Sequence, residues 1–556
     1  MFCKFWLVKL LFSNPLGDAL RHRESLIRGL FAVALIVSIG GCSRQHYKED
    51  ADKEVYGIIN RKWQDDFGQK TNYRISDVKP SQNDIKVEDI LPKTRVYSLA
   101  QAVALATAQN RDYQTQKESL YKSALNLTGT RYQYALKWFG TIDSTYTDNK
   151  STGADDVDLN ISGGASKQQL LLDGVLINAS IAIDWIRFLT GDPRHTIGSV
   201  LSGDLTVPLL GSGGGKVAQE NLTQAERDVL YQIRMFNRYR QTFVVSIIND
   251  YYNVLQRGDA VTNAENNYKR QRDSKLRLDM LAEAGREPRI NVDEAEQRML
   301  SAENAWVTAQ QSYQQALDQF KIRLALPTDA DIELDSNELE ALKAAYEAGV
   351  SDPNYSAEVA IETALARRLD LANTKDEVED AARKLELAAD GLGVQLNLTG
   401  SMDVDSADKT RFTRLQFQQG IYSLGWNVDL PLDRKSQRNA YRSALITFTK
   451  SQRDYGNEID NVKLQIRNAY RQLRERAESY RIQQLSLKLA ERRLENNQLL
   501  LDAGRAEVRL LLDSQNALVR AQNDLTSALI SHTIAKLNFF RDIGVLQVRP
   551  DGMWEE

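Results

Sequence analysis

Between positions 392 and 404, Leu392, Val394, Leu396, Leu398, Met402 and Val404 alternate with Gly393, Gln395, Asn397, Thr399, Ser401 and Asp403. A period of two predicts a strand with one apolar and one wet face. Tyr422, Leu424, Trp426, Val428 and Leu430 repeat the device, so 392–430 reads as a β hairpin around a charged turn at 405–414. Leu396, Leu398, Tyr422, Leu424, Trp426 and Val428 are the lipid-facing candidates. An earlier region, 138–209, alternates too, with Trp138, Ile142 and Tyr146 on one face and Leu201, Leu205, Val207 and Leu209 on another strand. A soluble sandwich also alternates. Here the polar positions are too uniformly polar for a second packed face, and no other β-rich stretch covers the apolar one. Lipid does not tolerate an open sheet edge, so the pattern predicts strands donated by several chains to one shared barrel.

After Pro208 and Pro431 the period lengthens. Phe243, Ile247, Tyr251 and Val254, and later Ile459, Val462, Ile466, Ala469 and Leu473, recur at spacings of three and four, which predicts long helices packed as coiled coils. Each run of about 70 residues would extend roughly 100 Å at ~1.5 Å per residue. The runs break at Gly285 and Gly504, where positive φ costs least, and Pro288 reinforces the first turn. A second helix returns from each tip, over 291–326 and 508–540. Before each β region an alanine-rich helix is expected. One is capped by Ser98, with Leu99, Ala102, Val103 and Ala106 on one face, and continues to about 136. The other opens at Ser356, with Val359, Ala360, Thr363 and Ala364, and runs to about 390.

These landmarks recur in order. Ala102-Val103 and Ala106 return as Ala360-Ile361 and Ala364, Val207-Pro208-Leu209 as Leu430-Pro431-Leu432, and Leu281, Ala284-Gly285-Arg286 as Leu500, Ala503-Gly504-Arg505. The chain therefore reads as a tandem repeat. Repeat 1 spans 96–326, with its helical hairpin at 216–326. A linker covers 327–355. Repeat 2 spans 356–540, with its hairpin at 432–540, and a tail covers 541–556. The interval from Ala102 to Pro208 exceeds that from Ala360 to Pro431 by about 35 residues, so the first β region holds an insertion. Within it Val175, Ile177, Ala179, Ile181, Ile183 and Trp185 alternate, which fits either an extra strand pair or a long outer loop.

The amino terminus is an address. Arg21, Arg23 and Arg28 precede the apolar run 30–37, and Ile39-Gly40-Gly41-Cys42 follows, the layout of a secretory signal over 1–41. Ile39-Gly40-Gly41-Cys42 resembles a bacterial lipobox, which implies acylation of Cys42; Ser43 after it resembles the outer-membrane sorting pattern. Residues 1–20 precede the arginines as an unusual extra stretch. A polar, lipid-anchored linker is expected over 42–95.

Composition narrows the chemistry. Among 556 residues, 71 Lys+Arg against 75 Asp+Glu leave a formal charge of −4, which argues against a nucleic-acid surface. The two cysteines, Cys3 and Cys42, lie outside the body of the chain, and His22, His46, His195 and His532 lack ligand spacing, so no metal centre, cofactor or disulfide framework is expected. Gly211-Ser212-Gly213-Gly214-Gly215-Lys216 imitates a phosphate loop, but Leu210 and Val217 stand where glycine and Ser/Thr are needed. It reads as a flexible joint. No nucleophile and base are paired, so an enzyme is not expected. Asp513, past Gly504, is a gate candidate, because carboxylate rings around an axis select and gate cations; an ordinary exposed helical aspartate is the competing reading.

Over about 98–544 the chain resembles the TolC-like outer membrane efflux proteins, specifically their lipoprotein members. The likeness rests on the duplicated order and on Gly504, Leu512-Asp513, Gln515 and Leu518. It implies a mainly α fold with membrane β: a trimeric α/β-barrel channel of long coiled-coil hairpins under a shared transmembrane barrel. It also implies a homotrimer in outer-membrane lipid of a Gram-negative bacterium, with a large periplasmic helical part, a periplasmic adaptor and an inner-membrane transporter as partners. By family position Asp513 resembles a residue of the periplasmic iris, while the second ring carboxylate falls on Leu510. Gly285, Arg286, Gly504 and Arg505 are the adaptor-contact candidates, although the family's Val-Gly-Leu-like tip is replaced. The function implied is a passive exit duct for efflux or export. Type I protein secretion and a lipid-anchored coiled-coil scaffold without a pore are the alternatives, and the cargo is not legible.

Overall fold

The computed structural model describes residues 43–79, 92, 95–149, 156–188, 195–211, 215–347, 356–407, 413–430, 432–503, 505–549 and 554–555. The chain divides into two compact units, Met1–Gly57 and Ile58–Glu556. In the first, the described residues open helix α1 (Arg44–Lys62). Ser43 Oγ accepts from the His46 N–H at 3.2 Å, and Gln45 donates to Glu49 at 2.8 Å. Cys42 lies outside the described residues.

The expected polar linker over 42–95 is corrected. Within the second unit Ile58, Ile59, Trp63, Phe67 and Tyr73 are buried. Trp63 packs at a tilt on Tyr73, ring centroids 5.5 Å apart, and meets the edge of Phe236 at 6.4 Å. Arg240, itself buried, donates to the Gln69 carbonyl at 2.6 Å and to Thr71. A handful of aromatic and branched residues among many charges anchors the segment, because each buries far more apolar area than its neighbours expose.

The order then runs β1 (Val96–Tyr97), α2 (Leu99–Gln109), α3 (Arg111–Tyr134), β2 (Lys137–Asn149), β3 (Asp156–Leu170), β4 (Leu176–Phe188), β5 (His195–Leu210), α4 (Gly215–Glu283) and α5 (Arg289–Arg323). It continues through β6 (Glu333–Leu334), α6 (Asn337–Glu347), α7 (Ala357–Arg367), α8 (Leu369–Asp390), β7 (Gln395–Asp405), β8 (Ile421–Asp429), α9 (Lys435–Asp502) and α10 (Val508–Asp542), ending in the two-residue strands β9 (Gln547–Val548) and β10 (Trp554–Glu555). The stretch 327–355, expected as a linker, thus holds a strand and a helix: β6 pairs in parallel with β1, Val96 opposite Glu333 and Tyr97 opposite Leu334. The tail likewise carries the antiparallel β9–β10 pair.

Each expected alanine-rich helix is two helices. Ser98 and Gln101 form a reciprocal capping box at the start of α2. At Asn110 the backbone turns extended (ψ 133°), and its Oδ1 accepts from the N–H groups of Asp112 and Tyr113 at 2.9 and 3.1 Å, opening α3. Its Nδ2 donates to the Arg323 carbonyl at 2.8 Å, so this break is held by the end of α5. Arg368 makes the matching break between α7 and α8, its guanidinium bridging Asp370 at 2.6 Å and Gln465 of α9 at 2.8 Å. The apolar period runs through both breaks; their local caps, Asn110 on Asp112 and Tyr113 and Arg368 on Asp370, are reinforced by the distant Arg323 and Gln465.

α4 lies at the centre of the helical packing. Tyr113 of α3 meets Phe236 at 5.7 Å and Phe243 at 5.0 Å. Tyr251, fully buried, packs on Phe320 of α5 and donates its hydroxyl to the Tyr97 carbonyl at 3.0 Å. On its other flank Asp380 of α8 accepts from Tyr231 at 2.7 Å, Arg227 at 2.5 Å and Gln224 at 3.1 Å of α4, and from Arg383 at 2.7 Å. Burial pushes the Asp380 carboxyl up, but these four donors outweigh it and hold it below the usual carboxylate range.

Candidate functional site

The six long strands make one antiparallel sheet in the order β2-β3-β4-β5-β7-β8, leaving β2 and β8 as edges. The insertion therefore adds strands: the first β region has four and the second two. The β3–β4 connection at Leu171–Val175 is a tight turn, with Gly174 at φ +85° donating to the Leu171 carbonyl. Gln219, in the first turns of α4, donates to the Leu172 carbonyl at 3.2 Å, seating this turn on the helical body. Pro208, which cannot donate to a ladder, sits where the β5–β7 register slips between Pro208 and Leu210.

Cross-strand partners share a face, so the register sorts the side chains. Leu396 lies opposite Val428, Leu398 opposite Trp426, Gly400 opposite Leu424 and Met402 opposite Tyr422. The six lipid-facing candidates thus share one surface. Through Leu205–Gly400, Ile177–Leu205 and Ile181–Leu201 that surface continues across β5 and β4, and it reaches Ile142 and Tyr146 on β2 by way of Gly163 and Leu159. Apart from Val404, which is buried beneath the short turn before β8, this surface is left uncovered: Leu424 is 78% exposed, Trp426 77% and Ile142 71%. Lys167 is on this surface near the helix end of β3, its ammonium 5.4 Å above the Trp138 ring, as an amphipathic side chain at an interface would place it.

The opposite face is wet and acidic. Among the described strand side chains it carries Asp143, Asp158, Asp184, Asp204, Asp403, Asp405 and Asp429, with Lys137 as the one cation. Alternation was legible in the sequence; that these aspartates gather on a single face required the register.

At the other end α4 and α5 form one helical hairpin and α9 and α10 a second. Gly285 adopts φ +72°, and the Arg286 N–H bonds the Leu281 carbonyl at 2.9 Å, a Schellman closure. Gly504 lies outside the described residues, but the Arg505 N–H bonds the Leu500 carbonyl at 2.8 Å, the same six-residue closure. Arg286 and Arg505 are exposed. Leu278, Val292, Ala295, Val508 and Leu512 pack the two hairpins together just behind these turns.

Asp513 is not a free carboxylate. Its Oδ1 lies 3.1 Å from Arg298 of α5, and Arg509 stands one turn away at 3.9 Å. Arg277 of α4 bridges Asp502 of α9 at 2.5 Å. Both ion pairs cross from one hairpin to the other near the tips. Sequence reasoning missed Arg298 and Arg277, because nothing local marks two arginines among many on solvated helix faces as partners of residues some 200 positions away. Lys216, from the phosphate-loop imitation, is exposed and faces Glu386 at 3.5 Å. Among the described residues no group of His, Cys, Asp and Glu is arranged to hold a metal, and no helix is long and apolar enough to cross a membrane.

The fold has solved relatives. It is similar to the Campylobacter jejuni CmeC outer membrane channel at 13% identity and TM-score 0.58, covering 87% of this chain and 92% of that one. The open state of the Neisseria gonorrhoeae MtrE outer membrane channel matches at 13% and 0.58, over 85% and 97%. The Vibrio cholerae outer membrane protein VceC matches at 12% and 0.56, over 80% and 96%. At such identities the likeness is one of fold. No curated protein matches the sequence. In sequence, residues 360–544 match the model of the outer membrane efflux proteins. That match spans α7–α10, about a third of the chain, and the fold as a whole is similar to those of the outer membrane channels named above.

Proposed function

We propose that the protein is the outer-membrane exit duct of a tripartite efflux or export system, conducting passively what an inner-membrane transporter and a periplasmic adaptor deliver. The observation that carries this reading is the six-stranded sheet, with an uncovered apolar face, an acidic face behind it and two open edges. Its strands run from 9 to 16 residues, long enough to cross hydrocarbon, which takes ~9–11 tilted residues. Three copies, each giving one sheet and two helical hairpins, would make a closed barrel above a helical tunnel with pseudo-six-fold symmetry. The acidic face then lines water and favours cations. Acylation of Cys42 would tether each chain to the same membrane. The tips at Gly285-Arg286 and Gly504-Arg505 would meet the adaptor, and Asp513, paired with Arg298, would sit at the periplasmic constriction.

The test is the purified full-length protein in a planar bilayer under a salt gradient. The expected result is trimers, discrete conductance steps and a reversal potential on the cation side. Trimers absent from every preparation, together with no conductance, would refute the duct.

A further inference from the structure

The two edges of the sheet carry opposite charges at the same end. Lys137 is the first residue of β2 and Asp429 the last of β8, and both lie where the sheet meets the helices. Both belong to the wet face: lateral partners of Lys137 run through Gln168, Asn178, Asp204 and Ser401 to Ser423, whose parity Asp429 shares. Among the described residues neither has an ion-pair partner within the chain. The Lys137 ammonium rests 5.3 Å over the Tyr132 ring, and Asp429 is exposed. Six alternating strands also leave β2 running away from the helices and β8 running back, so β8 of one copy meets β2 of another antiparallel.

We propose that β8 of each protomer pairs with β2 of the next in the register that sets Asp429 opposite Lys137, closing three chains into an eighteen-stranded barrel; the number three rests on the trimeric duct proposed above. This register puts Leu424 opposite Ile142 and Val428 opposite Trp138 on the apolar face, and Ser423 opposite Asp143 on the wet one. A slip of one residue would set apolar side chains against wet ones. A slip of two keeps the faces but puts Phe139 opposite Asp429, or Asn427 opposite Lys137, and loses the charge match.

The geometry of closure is consistent with the same choice. Within the chain the lateral path from Lys137 arrives at Ser423, six positions above Asp429 on β8. The proposed seam returns it to β2 at position 143, six above the start. A stagger of ~6 residues per chain at ~3.3 Å rise and ~4.8 Å strand spacing tilts the strands by about 35°, within the ~35–45° of membrane barrels. Eighteen such strands enclose a backbone ring about 33 Å across. The inserted pair β3–β4 thus makes a third of the outlet's wall.

Cysteine pairs read the register directly. In full-length protein in outer-membrane vesicles, Leu424→Cys with Ile142→Cys is expected to oxidise to covalent dimers and trimers, whereas Leu424→Cys with Gly140→Cys or Ser144→Cys, and each single variant, should give at least several-fold less. Lys137→Glu should lower the temperature at which the detergent-resistant trimer dissociates, and adding Asp429→Lys should restore it. Trimers that conduct but cross-link at another position, or that ignore the charge reversal, would overturn this seam and leave the duct standing. A wild-type protein that neither trimerises nor conducts would remove the duct itself.

Discussion

Two helices of almost equal length, α4 with 69 residues and α9 with 68, stand at the same place in the order of elements yet have different surroundings. α4 is buried on several sides, from Val229 and Phe236 through Ile247 and Tyr251 to Leu278, because α3, α5, α8 and α10 all pack on it. Among the described residues α9 buries only Val462, Ile466, Leu473, Ala477 and Tyr480, against α7, α8 and α10. Its outer side leaves Ile482, Leu485 and Leu489 more than half exposed, at spacings of three and four. An apolar stripe at helical spacing is a packing face, so α9 resembles α4 with one set of neighbours missing. In the trimeric reading a second copy supplies them.

The contrast is open to measurement. Ile247→Ala, at a site with no exposure, should cost about 2–5 kcal/mol through lost transfer and a cavity, seen as a lower unfolding temperature of the isolated chain. Ile482→Ala should stay within about 0.5 kcal/mol there, and equal shifts at the two sites would erase the distinction. Leu485→Asp should leave far-UV circular dichroism of the chain unchanged while moving it from trimer to monomer in light scattering. Retention of the trimer would show that this stripe is not an interface.

A smaller effect comes from α10, which shares its hairpin with α9. His532 Nδ1 lies 3.0 Å from the Tyr346 hydroxyl of α6, and burial, aided by the charges of Lys536 and Arg481, pushes its pKa down to about 4. An unfolded histidine titrates near 6.5. The neutral form is therefore favoured by folding, so its contribution is complete above pH ~6.5, declines as pH falls, and is lost by pH ~4, about 3 kcal/mol in all. His532→Gln should flatten melting temperature against pH in that window; an unchanged slope would mean that another group sets it. The smallest stability effect is expected at the tips. Arg298 and Asp513 are each about a third exposed, so Arg298→Ala should cost at most about 1 kcal/mol in thermal melts. In the proposed duct it should nevertheless lengthen channel openings, because the hairpins lose a tie. Openings of wild-type duration would leave the pair a surface contact.

The sequence foresaw what depends on neighbours along the chain. The period of two in β7 and β8, the three-and-four spacing in α4 and α9, the Ser98 and Ser356 caps and the glycine closure at Gly285 follow from side-chain direction and local backbone freedom. It was silent or mistaken wherever the partner is remote. The break at Asn110 is held in place by the Arg323 carbonyl that receives its amide, and the supposed linker folds because Trp63 reaches Phe236. The insertion left two readings open until β3 and β4 were seen in register with β2 and β5.

By itself the sequence determined the kinds of element, their order and the presence of an apolar and a wet face on the strands, since periodicity is a property of the chain alone. Only the tertiary structure decided that six strands join in one sheet, that their aspartates gather on one side, that Asp513 meets Arg298, and that α9 keeps an open flank. Those outcomes turn on register and on which surfaces compete for the same neighbours, and contacts between residues hundreds of positions apart leave no local pattern to read.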